Sequence, residues 1–304
     1  MIDLERIDPE IRPRVARLKA MDPKSPVARV LFALVPLLIP TKRVPGVALT
    51  KDKAGSVPLR IYRPDNANGS GMLWIHGGGL VGGVPKMDDQ FCGDTAKQLG
   101  VTIVSVDYRL APKHPFPAAH EDVYAAWTWL LDHLAALGID RDRLVIGGQS
   151  AGGGLAAGLV QHLKDDGQPV AGQWLWTPML DDRTALRTEL DPVDHLVWNN
   201  VANRYGWGSY LRAIHGPTPP PYAVPARRED LTGLPATWIY ASDIELFHDE
   251  VVDYATRLTA AGVETTLDIV PGVPHAVEAT ASDTQAAVRI LAKGRAWLAE
   301  RLGS

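Results

Sequence analysis

Ser150 sits in the pentapeptide Gly148-Gln149-Ser150-Ala151-Gly152. A serine hydroxyl becomes a nucleophile when a tight turn thrusts it outward and a base takes its proton. The branched run Leu144 to Gly147 precedes the pentapeptide and a small-residue helical stretch begins at Ala151, so the context reads as strand, turn, helix. Glycine two residues to either side is a steric demand, because side chains there would collide with neighbouring strands. The helix start at Ala151 aims its amides at a forming anion. A second signal is His76-Gly77-Gly78-Gly79, which ends an earlier apolar run. Three glycines let backbone N–H groups approach a substrate oxygen unobstructed, and neither a following Lys-Ser/Thr nor a G-x-G-x-x-G register marks the loop as a phosphate cradle. The third signal is His275 in Pro271-Gly272-Val273-Pro274-His275, just past the run Thr266 to Val270. A histidine there can take the serine proton and return it to a leaving alcohol. His76, ahead of the glycines, reads as a loop brace, while His114, His120, His133, His162, His195, His215 and His248 read as surface or packing residues.

These groups need a scaffold, and the sequence supplies one. Short runs rich in branched residues alternate with longer helical patterns, the mark of a mostly parallel sheet flanked by helices. Strands are expected at Leu59–Tyr62, Met72–His76, Thr102–Asp107, Leu144–Gly147, Gly172–Trp176, Thr237–Ala241 and Thr266–Val270. Helices are expected at Asp89–Leu99, Ala118–Leu137, Ala151–Lys164, Asp249–Ala261 and Thr284–Leu302, with Gly100, Gly138, Gly167 and Gly262 placed as C-terminal caps. Strand patterning stops from Asp181 to Pro225, where Trp198, Tyr205, Trp207 and Tyr210 interleave with Asn and Arg before a proline-rich run, so this stretch reads as an insertion.

Composition narrows the partners. Lys and Arg number 31 against 35 acids, for a net charge of -4, and form no long basic run, which argues against nucleic acid. With Cys92 as the single cysteine, no intramolecular disulfide or cysteine-rich metal site can form, and a cytoplasmic location is expected. Cys92 reads as a packing residue. The stretch Met1 to Arg17 lacks the pattern of a secretory signal. Val27 to Ile39 is too short to span a bilayer and reads as a helix that packs on the domain or covers a site, with surface association as the alternative.

The chain resembles the hormone-sensitive-lipase-like esterases over almost its whole length. The resemblance is carried by Ile7-Asp8-Pro9-Glu10-Ile11, the His-Gly-Gly-Gly loop, Val106-Asp107-Tyr108-Arg109-Leu110-Ala111-Pro112, His114-Pro115-Phe116-Pro117-Ala118-Ala119, the serine turn and Asp230-Leu231-Thr232-Gly233-Leu234-Pro235. It implies an α/β-hydrolase fold: a mostly parallel twisted sheet flanked by helices, with a helical cap. The catalytic core would occupy 45–180 and 226–304, and the cap would combine an N-terminal segment, 1–44, with the insertion at 181–225. The family's oxyanion amides match Gly78, Gly79 and Ala151. Its acid motif, Asp-Pro-Leu-x-Asp-Glu, matches Glu245 to Glu250, which puts Glu245 where the family has aspartate and leaves Asp243 as the rival; Asp249 and Glu250 read as helix N-terminal acids. Asp107 matches a structural acid of the family. Gln149 departs from the usual Asp or Thr before the serine. A homodimer paired edge to edge through the last strand is also implied.

The expected reaction is hydrolysis of short to medium acyl esters through a covalent acyl-enzyme, with no metal and no organic cofactor. Leu80 and Val81, with Trp198, Tyr205 and Trp207 of the insertion, are expected to line an apolar pocket. An amidase or lactonase could use the same residues, differing only in leaving group. A ligand receptor on this fold is the alternative from another class, and His275 in its fitting motif argues against it.

Overall fold

A computed structural model describes residues 4–15, 20, 22–193 and 195–303. Positions 1–3, 16–19 and 21 of the expected N-terminal cap segment, and 194 of the expected insertion, lie outside the described residues. Eight strands form one sheet: β1 (Val47–Ala54), β2 (Val57–Pro64), β3 (Gly71–Ile75), β4 (Thr102–Val106), β5 (Leu144–Gln149), β6 (Gly172–Trp176), β7 (Thr237–Ser242) and β8 (Thr265–Val270). Their order is β1-β2-β4-β3-β5-β6-β7-β8. β2 pairs antiparallel with β1 and β4, and every other pairing is parallel.

The seven expected strands are all present. β3, β4, β6 and β7 are buried along their whole length, which is why they read as unbroken apolar runs. β1 went unrecognised because it alternates at an open edge, leaving Lys51, Asp52 and Lys53 exposed. The helices are α1 (Arg12–Val15), α2 (Pro26–Leu38), α3 (Asp89–Leu99), α4 (Ala118–Asp132), α5 (Leu134–Leu137), α6 (Ala151–Asp165), α7 (Asn200–Tyr210), α8 (His248–Ala260), α9 (Val277–Thr280) and α10 (Gln285–Leu302). The single helix expected over Ala118–Leu137 is two, broken at His133, whose φ is -110 and whose Nδ1 lies 2.7 Å from the Trp129 carbonyl.

Alternate strand residues feed two cores. Leu73 and Ile75 of β3 join α4, α6 and α8 on one side. Met72 and Trp74 join Trp174, Trp176 and Trp238 under α3 and α10 on the other, where Cys92 packs as a buried free thiol. Among the described residues no helix is long and apolar enough to cross a membrane.

Residues 181–225 form short helical turns and α7, which is capped by Asn199 Oδ1 accepting from the Ala202 amide at 3.0 Å. They meet the N-terminal segment where Phe32 of α2 lies 6.1 Å from Trp198, and where the Arg29 guanidinium sits 5.7 Å over Tyr205. Because β3, β5, β7 and β8 run parallel, their C-terminal ends share one edge, where α/β sheets gather ligand-binding loops. The loops leaving those ends carry the glycine run, Ser150, Glu245 and His275.

Candidate active site

Ser150 occupies the turn between β5 and α6 at φ 55 and ψ -121, a backbone region that side chains rarely adopt and that costs on the order of 1–3 kcal/mol. The turn is pinned on both sides: the Ser150 amide donates to the Trp176 carbonyl at 2.8 Å, and its own carbonyl accepts from Met179 at 2.9 Å. The flanking glycines are sterically required. A Cβ on Gly152 would fall 2.1 Å from the Ile75 carbonyl oxygen of the neighbouring strand, and one on Gly148 would fall 2.3 Å from Gly152 itself.

The glycine loop leaves β3 with Gly78 at φ 126 and Gly79 at φ 60. A Cβ on Gly79 would overlap the Trp198 ring at 2.0 Å, so the indole closes down on this backbone. Among the described residues no acceptor takes the amides of Gly78, Gly79 or Ala151. His76 braces the loop as expected. Its Nδ1 donates to the Gly77 carbonyl at 2.7 Å, its ring stacks 4.3 Å from Tyr108, and the Tyr108 hydroxyl donates to the His76 carbonyl at 2.9 Å. Burial pulls its pKa down to about 4, which keeps the imidazole neutral.

His275 and Ser150 meet across 125 residues of sequence, with Nε2 2.9 Å from the serine Oγ. The other ring nitrogen, Nδ1, lies 2.5 Å from Oε2 of Glu245, whose side chain has no exposed surface. The second oxygen of Glu245 accepts from the Ser242 amide at 2.9 Å, fixing the carboxylate toward the imidazole. Phe247 packs edge-on to the His275 ring at 5.3 Å. Asp243 points elsewhere: it accepts from the Gly272 amide at 2.7 Å and faces Arg6 at 4.0 Å, bracing the loop that carries His275. Asp249 lies in the first turn of α8 and pairs with Arg187 at 2.7 Å. Glu250 lies in the same first turn, where it is buried and also accepts from the Leu180 amide at 2.7 Å, from the Asp181 amide and from the Thr184 hydroxyl.

The cavity over Ser150 measures about 180 Å³ and includes Phe32, Gly78, Gly79, Trp198, His275 and Thr280 in its wall. Of the expected lining residues only Trp198 is present. Leu80 and Val81 are turned into the core, Leu80 by its positive φ of 66, and Trp207 is buried against Tyr210. Tyr205 lies under Arg29. Phe32, Met87, Val197 and Thr280 were missed because each comes from a segment with no chemical motif. A larger cavity of about 530 Å³, walled by Arg183, Arg227, Asp253 and Arg257, holds none of these groups.

Beside the nucleophile the departure at Gln149 finds a partner. Gln149 donates to the buried Glu278, whose other oxygen accepts from Tyr240 at 2.5 Å, and burial raises the Glu278 pKa. Asp88 also reaches the cavity wall, accepting from the Trp74 indole at 2.7 Å; burial raises its pKa to about 7. The remaining histidines do not enter the site. His120, for example, packs against His162 at 3.0 Å.

The fold and this line of groups define an ester-hydrolysing serine hydrolase. Residues 72–279 match the family model described as alpha/beta hydrolase fold, and the chain belongs to that family. It is 36% identical to Esterase LipI of Mycobacterium tuberculosis over 74% of this chain and 71% of the relative, and 34% identical to an ethyl acetate hydrolase of Pseudomonas putida over 76% and 74%. The solved structure titled Bacterial Heroin Esterase superposes with a TM-score of 0.91 at 36% identity, covering 99% of both chains. The resemblance to hormone-sensitive-lipase-like bacterial carboxylesterases therefore holds, and the chain is a carboxylic ester hydrolase.

Proposed function

We propose that Ser150, His275 and Glu245 act as nucleophile, general base and orienting acid in the hydrolysis of short to medium acyl esters. The observation that carries this reading is the unbroken hydrogen-bonded line from Glu245 through both nitrogens of His275 to the Ser150 hydroxyl, at 2.5 and 2.9 Å. In the first half-reaction Ser150 Oγ attacks the ester carbonyl while His275 Nε2 takes its proton. The tetrahedral oxyanion is received by the amides of Gly78, Gly79 and Ala151, each such donor being worth about 10²–10³ in rate. The protonated imidazole then gives its proton to the departing alcohol, leaving an acyl-enzyme. Water attacks that ester with His275 again as base, which releases the acid and restores Ser150.

The small apolar cavity supports a short acyl group, as does the likeness to an enzyme named for ethyl acetate. α2 and the insertion serve as the cap over it. A homodimer along β8 belongs to the same reading, supported by the place of that strand at the end of the sheet with β7 as its neighbour, and so does a cytoplasmic location, with which a single buried cysteine, Cys92, is compatible. Replacing Ser150 with Ala should lower turnover of an activated ester by roughly 10⁶-fold with the melting temperature little changed. Retention of more than a tenth of the activity would refute the assignment. In an acyl-length series, turnover should fall as the chain outgrows the cavity.

A further inference from the structure

We propose that the outward face of α2 docks onto an anionic phospholipid bilayer. A surface helix normally turns its apolar stripe toward the core. α2 does so with Ala28 and Phe32, yet it carries a second stripe facing solvent. Val27, Val30, Leu31, Leu34, Val35 and Leu38 follow the i, i+3, i+4, i+7, i+8, i+11 spacing of one helical face, and each is at least half exposed, Leu38 at 81%. With Leu37 they make up seven of the twelve large apolar side chains exposed among the described residues, so the exposed apolar surface is concentrated on one helix. An apolar patch of this kind marks an interaction surface.

Charge selects the occupant. Lys24, Lys42 and Arg43 flank α2 in sequence, and Lys51 and Lys53 lie beside Leu37 together with Asp52 and Asp107, so cations outnumber acids around the helix although the whole chain has a net charge of -4. Lys86, from the loop before α3, adds to this rim by donating to the Leu37 carbonyl at 2.5 Å. An apolar stripe with a local excess of cations around it suits the interface of a bilayer, where side chains enter the acyl boundary and ammonium groups meet lipid phosphates. A second copy of the chain would bring the same cationic rim against itself in a two-fold pairing, which opposes association through this face. The 13-residue helix spans roughly 20 Å, enough to lie in the interface and too short to cross it. The same helix presents Phe32 to the cavity over Ser150, so docking would bring the nucleophile to within about a helix diameter of the lipid, on the order of 10–12 Å.

The test is co-sedimentation of the full chain with phosphatidylcholine vesicles, with and without phosphatidylglycerol, at low and high salt. Binding should be at least about tenfold stronger to the anionic vesicles, weaken with salt, and fall at least about tenfold in the Leu31→Asp/Leu34→Asp protein. The double variant should keep the wild-type melting temperature, mass by light scattering and turnover of a soluble ester. Should it fail to fold, Leu38→Asp at the most exposed position replaces it. Absence of binding to anionic vesicles, or unchanged binding in the folded variant, would overturn the proposal. So would a dimer that the variant dissociates, since a second copy would then cover the face. Binding by Ser150→Ala protein separates this outcome from any failure of the esterase reading.

Discussion

Replacing Glu245 with Gln changes one atom and poses a problem the site cannot solve. The carboxylate has two acceptor oxygens in use, one facing His275 Nδ1 at 2.5 Å and the other facing the Ser242 amide at 2.9 Å. A glutamine has one acceptor and one donor end. If its oxygen stays with the Ser242 N–H, its amide group points at Nδ1 and holds the imidazole in the tautomer with the proton on Nε2, which then cannot accept from Ser150. If it flips, its amide group confronts the Ser242 N–H donor to donor in a fully buried position, at about 1–3 kcal/mol. Either way the charge that stabilises the imidazolium is gone. Loss of turnover should be about 10²–10⁴-fold, equivalent to roughly 3–5 kcal/mol of barrier. Asp243→Asn is the control, because an asparagine oxygen can still accept from the Gly272 amide and only the 4.0 Å approach of Arg6 to a half-exposed carboxylate is weakened. Both proteins should be assayed on one activated ester at one pH, with melting curves to establish folding. A large loss in Asp243→Asn beside near-normal turnover in Glu245→Gln would reverse the assignment.

Asp88 gives a pH-dependent stability. Its pKa rises to about 7, first because burial penalises the charged form and then because Glu278 and Asp89 lie nearby. A carboxyl whose folded pKa exceeds its unfolded value contributes fully below the unfolded value, near 3.8, and loses that contribution as pH rises through about 7. Asp88→Asn should therefore flatten the fall in denaturation midpoint between these pH values, by at most about 4 kcal/mol; an unchanged slope would refute it. For the dimer, light scattering should give twice the 32.9 kDa chain mass. Ile269→Lys on the free edge of β8 should reduce that mass, and a wild-type monomer at all concentrations would exclude the pairing.

The sequence disclosed the site where chemistry constrains residue type and hid it where only shape matters. Ser150 was legible because the turn forbids a Cβ at Gly152, and the glycine loop because Trp198 lies where a Cβ on Gly79 would be. Residue types alone could not decide between Glu245 and Asp243. What separates them is a backbone donor, the Ser242 amide for one and the Gly272 amide for the other, and the family spacing was the only trace of it. The pocket walls were illegible for a different reason. Phe32 and Trp198 come from a helix and an insertion distant in sequence, and each looks like ordinary core, while the left-handed backbone at Leu80 turns a plausible lining residue away. β1 stayed hidden because half of it is polar, whereas the buried parallel strands announced themselves.

The distribution of the line of groups along the chain has a bearing on timing. The glycine loop and the serine turn follow β3 and β5, but both partners of the serine arrive on the loops after β7 and β8, the last two strands in chain order. On the proposed assignment, a growing polypeptide that has formed the serine turn still has no histidine beside Ser150, so hydrolytic competence would appear only once the final parallel pairing closes the sheet. Regain of turnover during refolding would then track completion of the slowest, longest-range contacts and serve as a reporter of global assembly.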